Sequence, residues 1–370
     1  MNQAKPRNKG VYLWKRGRLG ERQMEVSEFN RHQNLRDVQG KIDELNPKPT
    51  YQQDWPAYNA AQSQEKIIAE KMLLEILDSF EEKKLKVRGR PQINLKGRIY
   101  SMFLYVYLGS SARRTSSDLK MAKQRGVIEE IPHYNSIFNF FSNTTITPIL
   151  KQLIHITALP LKQIEKDFAI DSSGFSTSRF ERWFNIRTQK YARKRHWKKC
   201  HLSVGVRSNV ITAVKITAGH GADCPEFLSL AAETRRYFDM EEISADKAYL
   251  SRDNLNGAAE LGCVPYIPFK SNSSRKQKGS VIWSKMFDYF LNNQEKFLKS
   301  YHKRSNVETT FSMIKRKYGN HLKTKLDESQ VNEILMKCIC HNLAVLVHES
   351  FELGIEIDLN SCVKQVLAQK

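Results

Sequence analysis

The order of strand-like and helix-like runs in the second half of this chain allows one class of fold. Short β-rich runs lie at residues 166–171, 202–207, 210–217, 242–246 and 263–269. A Ser-Asn turn between the second and third runs predicts a hairpin. Helix-like runs at 223–238 and 251–261 lie among the remaining strands. We therefore predict a mixed α/β sheet with helices on its faces, and the two prolines in the last run predict an edge strand.

The first 150 residues follow a different pattern. Residues 1–57 are polar and basic with weak periodicity, which indicates a loosely organised N-terminal arm. Residues 58–150 carry apolar positions at helical spacing and predict an all-α region, including a helix over 94–108. An α/β domain over 151–350 and a C-terminal tail over 351–370 complete the expected organisation.

Two features of the helical region are compatible with DNA contact. The tetrapeptide RGRP contains Arg88 and Arg90, which could enter a narrow A/T-rich minor groove. A helix-breaking linker with solvated arginines is an equal alternative. Residues 113–141 resemble a helix-turn-helix, with Thr115 as the expected N-cap of the first helix and a second helix over 133–141 that would face a groove. An ordinary helical hairpin is the alternative.

The composition favours a nucleic-acid partner. The chain has 370 residues, and 60 Lys and Arg against 39 Asp and Glu give a net charge of +21. Such an excess favours phosphate backbones, which are bound with release of counterions. The longest clean apolar runs, such as 102–108, are far shorter than a span of about 20 residues, and no secretory signal is visible. We expect a cytoplasmic, nucleoid-associated protein without a membrane partner.

The six cysteines give no CxxC pair. Cys338, Cys340 and His341 could form a soft-metal site, but they lie in an apolar, helix-like run. Because Cys packs as a small hydrophobic side chain, this run favours buried free thiols.

Two aspartates end predicted strands. Asp171 is the last residue of the first β-rich run, and Asp246 is the last residue of the fourth. Neighbouring strands of α/β sheets aim their last side chains into one crevice, although Asp also ends strands as a turn former. Together with Glu308 they give three acids from distant parts of the chain. Hard oxygen ligands of this kind suit Mg²⁺ or Mn²⁺, and a pair of such ions can activate a water or a 3′-hydroxyl at a phosphodiester.

Glu308 is the only acid between residues 301 and 325. On a helix, Glu308 and Lys315 fall within about 20° of one line, so one face would carry a carboxylate and a cation. Ser305 and Glu308 could instead form a capping box at the start of that helix. The nearby cations that we expect to contact DNA are Lys303, Arg304, Lys315 and Arg316.

A basic and aromatic segment follows the first aspartate. Between residues 172 and 199 there are nine Lys and Arg and one acid, interleaved with aromatic residues. This combination is typical of a groove for single-stranded or distorted DNA. The cations that we expect to contact DNA there are Arg182, Arg187 and Lys198.

The four-point motif Tyr301-x2-Arg304-x3-Glu308-x6-Lys315 resembles the signature of the insertion-sequence transposases that have a DDE catalytic triad. The segments AIDSSGF and SADKAY resemble the family's sequences around its two aspartates. ITAGHGADCPEF resembles the segment between them, and VNEILMKCICHN resembles the helix after the glutamate. The resemblance covers roughly residues 86–351.

The resemblance implies a ribonuclease-H-like core and DNA transposition with two divalent ions, Mg²⁺ or Mn²⁺. It also implies a synapse, usually of a homodimer, with double-stranded DNA that includes terminal inverted repeats and target DNA. By carry-over, the catalytic residues and metal ligands are Asp171, Asp246 and Glu308. The residues that would hold phosphates beside the scissile bond are Tyr301, Arg304 and Lys315.

Some relatives carry a large β-rich insertion between the second aspartate and the glutamate. Here only residues 247–307 connect the two, so a full insertion is not expected. Trp283 lies in this connection, where some relatives use a Trp to stack on a flipped base, and core packing is the favoured alternative. The alternatives to a transposase are a non-catalytic, domesticated DNA-binding regulator and a nuclease on the same fold.

Overall fold

The structure is a computed structural model that describes residues 54–80, 92–177, 187, 197–276 and 280–369. Within these residues the chain forms one mixed sheet in the order β3-β2-β1-β4-β5. The strands are β1 (Asp167–Ser176), β2 (Trp197–Gly205), β3 (Ile211–Ala218), β4 (Glu242–Ala245) and β5 (Val264–Tyr266). The prediction of a mixed α/β sheet is confirmed, and β5, with its proline, is an edge strand.

The sheet changes from antiparallel to parallel at its centre. β1 pairs antiparallel with β2, and β2 pairs antiparallel with β3, whereas β1–β4 and β4–β5 are parallel. β1 continues to Ser176, five residues beyond Asp171, so the strand end predicted at Asp171 is wrong. The Ser- and Gly-rich sequence after Asp171 concealed this extension, which pairs with the first half of β2.

Helices precede, interrupt and follow the sheet. In the described residues they are α1 (Trp55–Asp78), α2 (Leu95–Tyr107), α3 (Ala112–Gln124), α4 (Tyr134–Ser142), α5 (Thr147–Ala158), α6 (Glu226–Arg235), α7 (Arg252–Glu260), α8 (Val281–Asn292), α9 (Gln294–Tyr301), α10 (Ser305–Tyr318), α11 (Asp327–Leu353) and α12 (Leu359–Ala368). Short 3-10 helices lie at Leu159–Leu161, Lys247–Tyr249 and His302–Arg304. Residues 351–370, predicted as a tail, thus include α12.

The long helix α11 forms the centre of the core. It packs against α1, α4 and α5, and its Asn342 side chain exchanges two hydrogen bonds of 2.8 Å with the backbone of Ile211 at the start of β3. α11 is long and apolar enough to cross a membrane, but 78% of its most apolar window is buried inside the fold. The predicted buried thiols are confirmed here, since Cys338 and Cys340 are free and buried.

The two faces of β1 and β2 meet different helices. On one face, Lys315 of α10 and Lys337 of α11 each lie 5.4 Å from the ring centre of Phe175. On the other face, Thr234 of α6 donates a hydrogen bond of 2.8 Å to Ser203. Side chains alternate along a strand, so Asp171 shares the face of Phe175, towards α10.

The two helices of the predicted helix-turn-helix are present as α3 and α4. The first is capped by Ser111, whose hydroxyl accepts from Arg114 N at 3.4 Å, so the prediction of Thr115 as N-cap is wrong. Thr115 lies inside the helix, where its buried hydroxyl donates to Ser111 O. Asn135 and Asn139 of α4 are exposed, as a groove-facing helix requires.

Candidate active site

The parallel pairing of β1 with β4 brings the two aspartates together. Ile170 pairs with Ala245, so Asp171 and Asp246 occupy the next positions in the same register. Asp246 then caps the 3-10 helix Lys247–Tyr249, because its carboxylate accepts from Lys247 N at 2.6 Å. The sheet therefore places two carboxylates side by side where the β1–β4 pairing ends.

Glu308 reaches the same place from α10. Arg304, the residue before this helix, donates to Asp171 Oδ2 at 3.1 Å and to Glu308 Oε1 at 2.7 Å. One guanidinium thus joins a strand carboxylate to a helix carboxylate. Ser305 does begin the helix, but the capping box is not formed: Arg304 is the N-cap, and no side-chain capping hydrogen bond is made.

The charge state of Asp171 reflects this crowding. Burial, followed by the negative charges of Glu308 and Asp246, raises the pKa of Asp171 to about 6, against the lowering effects of the Ser172 N–H and Arg304. Carboxylates repel one another in this way only when they lie close together. The three acids therefore form one electrostatic cluster, with Arg304 as its internal counter-ion.

Lys315 lies two turns along α10 from Glu308, on the same side of the helix. Its ammonium donates to Ser173 Oγ at 2.6 Å and lies 5.8 Å from the ring centre of Phe311. Burial lowers the pKa of Lys315. Ser173 points to the same side of β1 as Asp171, so the helix line through Glu308 and Lys315 runs along this face of the strand.

Two other residues in or next to the Tyr-Arg-Glu-Lys motif, Tyr301 and Lys303, contact the interior of the protein. Tyr301 is buried, burial raises the pKa of its phenol, and Arg304 lies 5.9 Å from its ring centre. Lys303 donates to Asp167 and Glu242 at 2.6 Å each, which joins the first residues of β1 and β4. In this arrangement the Lys303 ammonium is engaged by carboxylates of the protein.

The remaining residues predicted to contact DNA differ in their surroundings. Arg316 and Arg187 are exposed, whereas Lys198 is paired with Asp327. Trp283 is buried, donates its indole N–H to Ser274 O at 2.9 Å and packs edge-on against Phe269, which is the core-packing alternative. Outside the described residues lie the predicted contacts Arg88, Arg90 and Arg182, and residues 1–53 of the predicted arm.

Part of the chain that contains these acids is similar to a known family. Residues 162–343 match the family model described as the transposase DDE domain. The match supports a DDE-type transposase. It also implies a ribonuclease-H-like core, in agreement with the five-stranded mixed sheet. The chain matches no curated protein and no solved structure.

Asp171, Asp246 and Glu308 suit a divalent cation by their chemistry, since three hard carboxylates repel one another and would be neutralised by it. In the described residues, however, no three His, Cys, Asp or Glu side chains already surround one point at metal-binding distances. Arg304 accounts for this, because its guanidinium lies between Asp171 and Glu308. The donor set therefore fits a metal on condition that Arg304 turns away.

A second polar group lies on the face of β1 opposite to Asp171, and the sequence alone did not reveal it. Asp223 accepts from Ser172 Oγ at 2.9 Å and pairs with Lys199 at 2.5 Å. His201, fully buried, lies 3.5 Å from the same carboxylate. The position of Asp223 within the segment ITAGHGADCPEF was the one hint in the sequence that it belongs to the site. Its partners, however, lie on β1 and β2, which are distant in the sequence.

Proposed function

We propose that this protein is a DNA transposase that cleaves phosphodiester bonds at the ends of a mobile element and joins the freed 3′-OH to target DNA. One observation carries the proposal: within the DDE domain, Asp171 and Asp246 are neighbours in register and Glu308 is joined to Asp171 through Arg304. Asp171 and Glu308 come from distant parts of the chain and share one guanidinium, which supports the proposal. Both steps are in-line displacements at phosphorus and need no covalent protein–DNA intermediate.

Asp171, Asp246 and Glu308 would hold two divalent ions, Mg²⁺ or Mn²⁺. When bound, the ions supply activation of a water or a 3′-hydroxyl and neutralise the leaving oxygen. Burial contributes most to the raised pKa of Asp171, and the charges of Glu308 and Asp246 add to it; these charges support the assignment, because a divalent cation would neutralise them.

The cations of the signature would hold the DNA backbone. Arg304 exchanges its two carboxylate partners for a phosphate when DNA and metal arrive, since a guanidinium binds either anion with two parallel hydrogen bonds. Lys315 replaces Ser173 with a second phosphate, and its present contacts are one hydrogen bond to an uncharged hydroxyl and the rings of Phe175 and Phe311. Buried Tyr301 supports the guanidinium from below.

The helical region would hold the terminal repeats. α3 carries Arg113, Arg114, Lys120 and Lys123, and α4 exposes Asn135 and Asn139 at its surface. We propose that this pair binds duplex DNA, with two copies of the chain in a synaptic homodimer on the nucleoid. The net charge of +21 supports binding to phosphate backbones.

The test uses duplexes copied from the DNA that flanks both ends of the gene, incubated with the full chain and Mn²⁺ or Mg²⁺. We expect nicking at a fixed position and joining of the 3′ end to a plasmid, and neither with Glu308→Ala. Glu328→Ala, a change at an exposed acid on α11, is the matched control and should cut normally.

The products separate the alternatives. A DNA-binding regulator would shift the duplex on a gel without nicking it, and a nuclease on the same fold would cut without joining. Normal cutting by Glu308→Ala would refute the assignment of the third acid.

A further inference from the structure

One buried hydroxyl next to the acids lacks a partner. Tyr249 is 1% exposed, and its phenol oxygen makes no hydrogen bond within the described chain. Most buried polar side-chain atoms in proteins are hydrogen-bonded, because an unpaired donor loses its contact with water and gains nothing in return. A buried phenol without a partner therefore lowers the stability of the resting fold.

The backbone of Tyr249 is fixed between the segments that carry the acids. Its N–H donates to Asp246 O at 2.9 Å. Its carbonyl accepts from Asn254 at 2.7 Å, and Asn254 also donates to the carbonyl of Cys224, the residue after Asp223. The ring packs near Phe227 of α6. These contacts fix the position of the Tyr249 ring on the side of the sheet that faces α6.

The groups that surround the hydroxyl are acceptors. The charges of Asp171, Asp223 and Asp246 all act on the phenol and, after burial, raise its pKa. The Ser172 hydroxyl lies beside the phenol and lowers its pKa, but it donates its own proton to Asp223 at 2.9 Å. The phenol O–H is therefore an unused donor near several carboxylates. Among them, Asp171 at present accepts hydrogen bonds from the Ser172 N–H and from Arg304.

We propose that Tyr249 is a positioning residue: its hydroxyl donates to the carboxylate of Asp171 once Arg304 has turned to a DNA phosphate. This inference rests on the proposed function. Asp171 loses the guanidinium at the moment when its orientation matters most, and the phenol replaces that donor from the opposite side. Hydrogen bonds to a ligating carboxylate fix its orientation and raise metal affinity.

The test is Tyr249→Phe, which removes the hydroxyl and keeps the ring. We expect the Tm without metal to equal or exceed that of the wild type, because the lost group had no partner. We also expect cleavage of the flanking-DNA duplex to fall roughly 10- to 100-fold, with duplex binding retained. As a readout besides activity, the rise in Tm caused by Mn²⁺ alone should be smaller than in the wild type.

Tyr100→Phe is the matched control. Tyr100 is also fully buried, but its hydroxyl donates to Glu70 at 2.9 Å, so this variant should lose stability and still cut DNA once folded. Wild-type cleavage by Tyr249→Phe, or a fall in its Tm as large as that of Tyr100→Phe, would overturn the proposal. If the wild type itself does not cut, the proposed function fails, and the Mn²⁺-dependent rise in Tm alone decides the role of Tyr249.

Discussion

Glu65 of the helical region and Asp171 of the α/β region are both largely buried carboxylates, and their pKa values are shifted in opposite directions. Glu65 pairs with Lys317, accepts from the Tyr107 hydroxyl and lies 3.5 Å from His348. Burial by itself raises its pKa, yet the hydrogen bonds from His348, Lys317 and Tyr107 lower the pKa of Glu65 to about 2. Asp171 shares Arg304 with Glu308, and its pKa is raised to about 6.

The difference separates a structural carboxylate from one available for chemistry. The donors around Glu65 already compensate its negative charge, so a further cation would bind there only weakly. Asp171 lies near other negative charges, so a bound cation would reduce the electrostatic repulsion between these carboxylates. Lys317 belongs to α10, the helix of Glu308, so the saturated carboxylate also fixes the helix that completes the active site.

The largest expected effect comes from removing the charge of Asp171. Asp171→Asn should lower cleavage on the order of 1,000-fold or more, a barrier increase of about 4 kcal/mol. Its free energy of unfolding should stay within about 1 kcal/mol of the wild type, because the change also removes a poorly compensated buried charge. Cleavage assays and urea unfolding measure the two quantities, and a strong loss of stability would show that Asp171 resembles Glu65 after all.

Glu65→Gln should show the reverse. Loss of the carboxylate should cost roughly 1–3 kcal/mol, because the Tyr107 hydroxyl and the partly exposed Lys317 lose their acceptor. Asp78→Asn removes the exposed partner of Lys96 and should cost less than about 1 kcal/mol. If the two variants unfold at the same urea concentration, the network around Glu65 does not stabilise the fold as described.

The third expected effect is a pH dependence of the Glu65 contribution. The pKa of Glu65 is about 2 in the folded state and 4.5 as its ordinary value, so its stabilising effect is complete above pH 4.5. As pH falls from 4.5 towards 2, the unfolded chain takes up the proton first and up to about 3 kcal/mol of stability is lost. The difference in unfolding free energy between wild type and Glu65→Gln should therefore shrink below pH 4.5, and a constant difference down to pH 3 would contradict the shift.

Residue spacing was sufficient to predict the mixed sheet and to place Glu308 and Lys315 on one side of a helix. It could not show that Arg304 would bind Asp171 and Glu308, since a cation between two acids depends on which strands become neighbours. The same limit applies to Tyr249, whose unpaired hydroxyl is a property of packing. Local sequence also suggested a capping box at Ser305 that the preceding 3-10 helix replaces.

The smallest expected effect concerns Lys315, the cation of the signature with the weakest internal tie. Its hydrogen bond to Ser173 is neutral at the acceptor, whereas Lys303 pairs with two carboxylates. Lys315→Ala should therefore weaken binding to duplex DNA of any sequence and reduce the slope of log K against log salt by about one unit. Lys303→Ala should leave the slope unchanged and lower stability instead, because Asp167 and Glu242 would lose their shared cation. Equal slopes for wild type and Lys315→Ala would remove Lys315 from the phosphate contacts.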